Sequence, residues 1–163
     1  MTEDDHVRDT YAYYGLAMYA AQVLEHGLVN AMVAARLPER RTITRGEIDN
    51  FMDRQFEKTL GQLLRELERY VTVPADLSAR LSEALSKRNW LAHDCFRERA
   101  TTFITQAGRD SMIREFQAVQ HLFECADHQL SELVRPIREK HGVTNEAIAA
   151  EYDALQQNAG LDG

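Results

Sequence analysis

The stretch GLAMYAAQVLEHGLVNAMVAARL, residues 15–37, decides the fold. It is the most apolar part of the chain, so it is either a membrane span or the core-facing helix of a water-soluble bundle. Gln22, Glu25, His26 and Asn30 interrupt it. Each such group is expensive in hydrocarbon, and together they exclude a span. In water the same stretch makes an amphipathic helix. Tyr13, Leu16, Ala17, Ala20, Val23, Leu24, Gly27, Leu28 and Ala31 recur at three- and four-residue steps, the period of one helix face. The spacing predicts a helix from about Asp5 to Arg36, ended by Pro38, because proline disfavours helix in the residue before it.

Further along, the same period continues and strand-like alternation is nearly absent. Thr44 and Glu47 fit a capping box at the start of a second helical region that runs to about Tyr70. Phe51, Phe56, Leu60, Leu63, Leu64 and Leu67 give its buried face, with a break near Asp53. Pro74 suits the first turn of a third helix. Leu77, Leu81, Ala84, Leu85, Leu91 and Ala92 face inward there. ERATTFITQAG has little periodicity and reads as a loop. A fourth helix is expected from about Arg109 to Lys140, on the stripe Met112, Phe116, Val119, Phe123, Ala126, Leu130, Leu133 and Ile137. Pro136 should kink or fray its last turn, and Gly142 closes it. Thr144 caps a terminal helix, with a frayed tail from about residue 158. The expected architecture is all-α: one domain over residues 1–163, a bundle of four to five helices.

Composition agrees. Of 163 residues, 44% are hydrophobic and 28% charged, ordinary for one globular domain. Cys95 and Cys125 are too few for a disulfide framework, and no CxxC pair offers zinc a site. The first residues, MTEDDHVRD, are acidic where a secretory leader is basic and then apolar. A cytoplasmic protein with no membrane contact, cofactor or metal is expected. The net charge of −7 argues against broad electrostatic capture of nucleic acid. A phosphate-handling site therefore needs a local positive field. Arg36, Arg40, Arg41 and Arg45 offer one; Lys87, Arg88, Arg97 and Arg99 offer another, diluted by Asp94 and Glu98.

The second cluster surrounds KRNWLAHDCF, residues 87–96. Helical residues turn by about 100° each, so Asn89 and His93 share a face and Phe96 lies near them. Arg88 points to the margin of the core, where a long side chain can bury its stem and bring its head around. Arginine suits phosphate, histidine moves protons near neutral pH, and asparagine orients either. These are the parts for transesterification at an RNA phosphodiester, which needs a base, an acid and positive charge at the phosphorane. One histidine per chain is insufficient. A two-fold homodimer with the third helices on the axis supplies two copies of Arg88, Asn89 and His93. Trp90 and Phe96 would then help bury the interface or stack on a base. Glu25, close to the apolar stripe of the first helix, wants a cationic partner if buried, and Arg88 is a candidate that it would orient.

Arg88-Asn89-Trp90-Leu91-Ala92-His93 resembles the R-x4-H motif of HEPN domains in its R-N-x-x-x-H form. AAQVLEHGLVN (residues 20–30) and KTLGQLL (58–64) are similar to stretches of bacterial HEPN-like proteins. The resemblance implies an all-α, typically dimeric domain with the motif near the dimer axis. Many such domains are metal-independent endoribonucleases of toxin–antitoxin, phage-defence and CRISPR-linked systems; others are non-catalytic. Any antitoxin or regulatory protein would here be a separate chain. Active toxin members often carry a tyrosine two residues after the histidine; this chain has Cys95 there and Phe96 next.

Two rival readings stand beside this one. The same face would serve a non-catalytic helical interaction module, which the negative charge favours. His121, Glu124, Cys125 and His128 lie within two turns of the fourth helix and suggest a metal-binding bundle. Zinc, however, usually draws ligands from more than one element. The early tyrosines Tyr11, Tyr13, Tyr14 and Tyr19 fit a core or an interface.

Overall fold

A computed structural model describes residues 3–36, 50 and 59–160. All regular structure among them is helical: α1 Glu3–Arg36, α2 Leu60–Leu67, α3 Ala75–His93, α4 Cys95–Glu98, α5 Ala100–Phe103, α6 Gln106–Lys140 and α7 Asn145–Gly160. The capping box at Thr44, the arginines at 40, 41 and 45, and the faces at Phe51 and Phe56 lie outside the described residues. No helix among the described residues is long and apolar enough to cross a membrane.

The frame is α1 packed along α6. Their contacts climb in step: His6 meets Gln106 and Asp110, Tyr14 meets Phe116, and Gly27 meets Asp127. The two helices therefore run parallel, and the chain must return between them. α3 makes that return, touching α1 through Leu91 at Tyr14 and through Arg88 at Glu25. The end of α3 thus lies beside the N-terminal half of α1.

Along α6, Met112, Phe116, Val119, Phe123, Ala126, Leu130 and Val134 are buried. This is the expected stripe, except that Val134 takes the inward place at its end and Leu133 and Ile137 are half-buried. On α1, Leu24, Leu28 and Met32 are fully buried, and Ala17, Ala21, Ala31, Ala34 and Ala35 close the remaining contacts with little bulk. Burying one such large apolar side chain contributes about 1.5–3 kcal/mol, which is how this core offsets chain entropy. Leu63 and Leu67 of α2 and Leu77, Leu81, Ala84 and Leu91 of α3 complete the core. Ala92 is exposed rather than inward, because Leu91 takes the core direction at that turn.

Local signals set the helix ends. At α2, Thr59 Oγ1 accepts from Gln62 N–H at 3.3 Å, and Gln62 Oε1 accepts from Thr59 N–H at 2.8 Å, a reciprocal box. ERATTFITQAG is not a loop: it forms the single-turn helices α4 and α5 and the start of α6, pieces too short to show a period. α6 begins three residues before Arg109, where Thr105 Oγ1 accepts from Gly108 N–H at 3.1 Å. A Cβ at Gly108 would sit 1.8 Å from the Thr102 carbonyl oxygen, so only glycine fits this corner. α6 also runs past Pro136 to Lys140. Proline removes one backbone donor there, and the buried Leu130 and Val134 keep that turn anchored. Gly142, at φ +80°, then ends it, with Gly142 N–H donating to Glu139 O and Val143 N–H to Arg138 O. That is the paired bonding of a left-handed glycine cap. Thr144 Oγ1 caps α7 through Ala147 N–H at 3.2 Å.

Candidate functional site

The last turns of α3 carry the motif. Leu91 is buried, which turns Asn89 and His93 out to solvent and leaves Arg88 half-buried at the edge. Arg88 Nε donates to Glu25 Oε1 at 2.8 Å, and Nη1 donates to Asn89 Oδ1 at 3.3 Å. The expected pairing of Arg88 with Glu25 is therefore present, and it fixes the guanidinium against α1. His93 is the final residue of the helix; Asp94 leaves helical geometry at φ −121°. Among the described residues, the His93 imidazole has no hydrogen-bond or ion-pair partner.

Phe96 does not share this outward face. Its ring packs among Tyr14, Tyr11 and Phe103, with centroids 5.0, 5.6 and 6.1 Å away. It supports the site from beneath by locking α4 onto α1. Tyr14 does the same more directly. Its hydroxyl donates at 3.1 Å to the Leu91 carbonyl, one of the oxygens left without an amide partner at a helix end. The sequence shows this only as a cluster of tyrosines. Burial raises the Tyr14 phenol above its ordinary value, with Cys95 adding to the effect, so the hydroxyl stays a donor.

Cys95, two residues after His93, is buried beneath the surface. Desolvation, reinforced by the nearby Glu115 carboxylate, pushes its thiol up to about 11. It is a neutral core side chain, not a nucleophile and not a stand-in for an exposed tyrosine. Trp90 is half-buried and donates through Nε1 to Glu98 Oε2 at 2.9 Å. Lys87 Nζ lies 5.2 Å and Arg99 Cζ 5.4 Å from its ring centroid. The ring is thus engaged by two cations, within cation–π range, rather than open for a base.

Each arginine near the motif has an acidic partner. Arg88 holds Glu25, Arg97 holds Asp94, and Arg99 grips Glu115 with both Nε at 3.0 Å and Nη2 at 2.8 Å. The local positive field is weaker than the residue count suggests. On α6, Cys125 Sγ sits 3.4 Å from His121 Nε2, but no three His, Cys, Asp or Glu side chains among the described residues approach as a metal site.

No protein-family model, curated protein or solved structure matches the chain.

Proposed function

We propose that two copies of this chain pair through the last turns of α3, as a HEPN-like dimer whose composite site binds RNA or a nucleotide. The observation that supports this best is a held guanidinium: Arg88 is fixed by Glu25 through Nε, beside an outward Asn89 and an unpartnered His93. Glu25 takes Nε and Asn89 takes one N–H of Nη1, which leaves Nη2 and the other Nη1 N–H to face a phosphodiester.

The reading extends to metal-independent cleavage. One His93 takes the proton from the ribose 2′-OH, and that oxygen attacks phosphorus. The partner's His93 gives a proton to the departing 5′-oxygen. The two Arg88 side chains meet the charge that builds on the phosphorane, and Asn89 positions an imidazole or a phosphate oxygen. The products are a 2′,3′-cyclic phosphate and a 5′-hydroxyl, and the two imidazoles have exchanged protonation states. Phe96 and Glu25 act as supports. The resemblance suggests a bacterial defence or toxin–antitoxin setting with a separate regulatory protein.

The test is cleavage of a fluorogenic RNA by nuclease-free protein. His93→Ala should lower the rate by about 10²-fold or more, the scale of general acid–base catalysis, with an unchanged helical circular dichroism spectrum. A variant as active as the parent sinks the assignment.

A second reading is a non-catalytic helical interaction module on the same face. The net charge of −7 and the acid on each of Arg88, Arg97 and Arg99 favour it. Titration with labelled RNA separates the two. Binding that Arg88→Ala abolishes supports the first; no binding at low salt supports the second.

A further inference from the structure

α7 lacks a cover. Its side chains from Asn145 to Gln157 are all exposed, yet Ile148, Tyr152 and Leu155 fall at steps of four and three residues and form one apolar stripe. A helix this short is marginal alone in water and draws its stability from burying such a stripe. The bundle carries a matching recess. On α1, Leu16, Tyr19 and Val23 remain 47%, 66% and 39% exposed. With Phe123, Asp127 and His128 of α6 they line a cleft of about 540 Å³. It continues past Tyr19 and Val23 into a second hollow of about 410 Å³ that reaches His26.

We propose that α7 of one copy lies in the α1–α6 cleft of a second copy, and the reverse, so that two chains exchange their terminal helices. The stripes match in length: Leu16 to Val23 and Ile148 to Leu155 each rise about 10 Å along a helix. Charge permits the fit. Glu146 and Asp153 fall about 130–150° around α7 from the middle of its stripe, so they face away. Glu151 alone flanks the stripe; the cleft's rim carries His128 but also Glu124 and Asp127, so charge neither drives nor forbids the fit. The exposed parts of these six large side chains come to roughly 500 Å² per contact. Buried in full, two reciprocal contacts reach about 1,000 Å², the lower bound for a biological interface.

The chain's own α7 fits less well. A fold-back about Gly142 would lay the stripe beside α6 only about 6–16 Å back from Lys140. The Gln120 end of the cleft lies about 30 Å back, so Leu16 and Tyr19 would stay open.

Val23→Cys and Leu155→Cys, made in separate proteins and mixed under mild oxidation, test the exchange. A disulfide-linked pair containing one of each variant is the expected product, against a wild-type control for native Cys95 and Cys125. With both cysteines placed in one chain, closure only within single chains overturns the proposal, as does the absence of any link between the separate variants. Sedimentation gives an independent reading. Tyr152→Asp, at an exposed position, should weaken self-association at least tenfold without loss of the bundle's helicity; an unchanged Kd overturns it. Leu16, Tyr19 and Val23 lie about 150° around α1 from Glu25. The exchange does not rest on the Arg88–His93 reading, and each can fail alone.

Discussion

Cutting the Glu25–Arg88 pair tests whether the arginine is held or only nearby. The Nε–Oε1 distance is 2.8 Å, and the side chains keep 35% of their exposure at Arg88 and 27% at Glu25. A fully exposed pair is worth about 0–1 kcal/mol. Removing one partner from a fully buried pair costs about 3–5 kcal/mol. Two-thirds burial and one charge-assisted hydrogen bond place this pair between, so Glu25→Ala and Arg88→Ala should each destabilise by about 1–2 kcal/mol. For a chain of this length that lowers Tm by about 2–8 °C. Arginine's stem also packs, so its single variant mixes two losses. A double-mutant cycle removes that term and should leave a coupling of about 1 kcal/mol. Urea unfolding of the four proteins at pH 7 measures it, and Glu25→Gln, which keeps an acceptor without the charge, should retain part. A coupling below about 0.3 kcal/mol, the noise of additivity, would refute the claim that Glu25 positions Arg88.

The Cys95 thiol, raised to about 11 by burial and by Glu115, keeps its proton in the folded state where the unfolded chain loses it. Stability should therefore fall as pH rises between roughly 9 and 11, by up to about 3 kcal/mol, and Cys95→Ala should remove that slope; identical slopes in denaturant titrations reject it. Asp127 is half-buried over Gly27, where a Cβ would meet its Oδ1 at 2.0 Å, and desolvation raises its carboxyl. The folded state then favours the protonated form, a contribution present in acid and lost as pH climbs through the folded pKa. Asp127→Asn should raise the urea midpoint at pH 7 but not at pH 3, and an equal effect at both would exclude desolvation as the cause. RNA affinity resting on two Arg88 side chains should fall with salt at a log–log slope of only about −1.4. A slope several times steeper in fluorescence titrations would move binding to other cations.

Periodicity makes the long helices legible because each must bury one face along its whole length, and the α6 stripe follows that rule from Met112 to Leu130. It does not say which neighbour covers which face. Leu16 and Val23 belong to the apolar pattern of α1 yet stay open, because the other helices cover its opposite side, where the buried Ala21, Leu28 and Met32 face them. Single-turn helices such as α4 and α5 escape a periodic reading; the visible trace of their corner is Gly108 itself. The Glu25–Arg88 pair is legible because a charge beside an apolar stripe needs a counter-charge. The Tyr14–Leu91 bond is not, since a tyrosine hydroxyl bonding a carbonyl 77 residues away leaves no local pattern. The inward turn of Phe96 follows from the break at Asp94, which ends the helical arithmetic one residue after His93.

The break at Asp94 also governs the charge of the site. Had α3 continued, Arg97 would stand one turn beyond His93 and add a free cation to its face. Instead the chain turns, Arg97 closes on Asp94, and Arg99 is carried back to Glu115 on α6. Of the four cations around the motif, three are matched and Lys87 leans on Trp90. A phosphodiester arriving here meets little net attraction, so affinity must come from geometry: a guanidinium already oriented by Glu25, with Asn89 beside it. Orientation fixed in advance lowers the ordering cost of binding but supplies no long-range pull. One copy of such a site is weak, and two copies facing each other double the oriented donors within one ligand's reach. On the proposed reading, the matched charges leave a single chain with little pull on phosphate, and chemistry at His93 would therefore depend on the pairing of two chains.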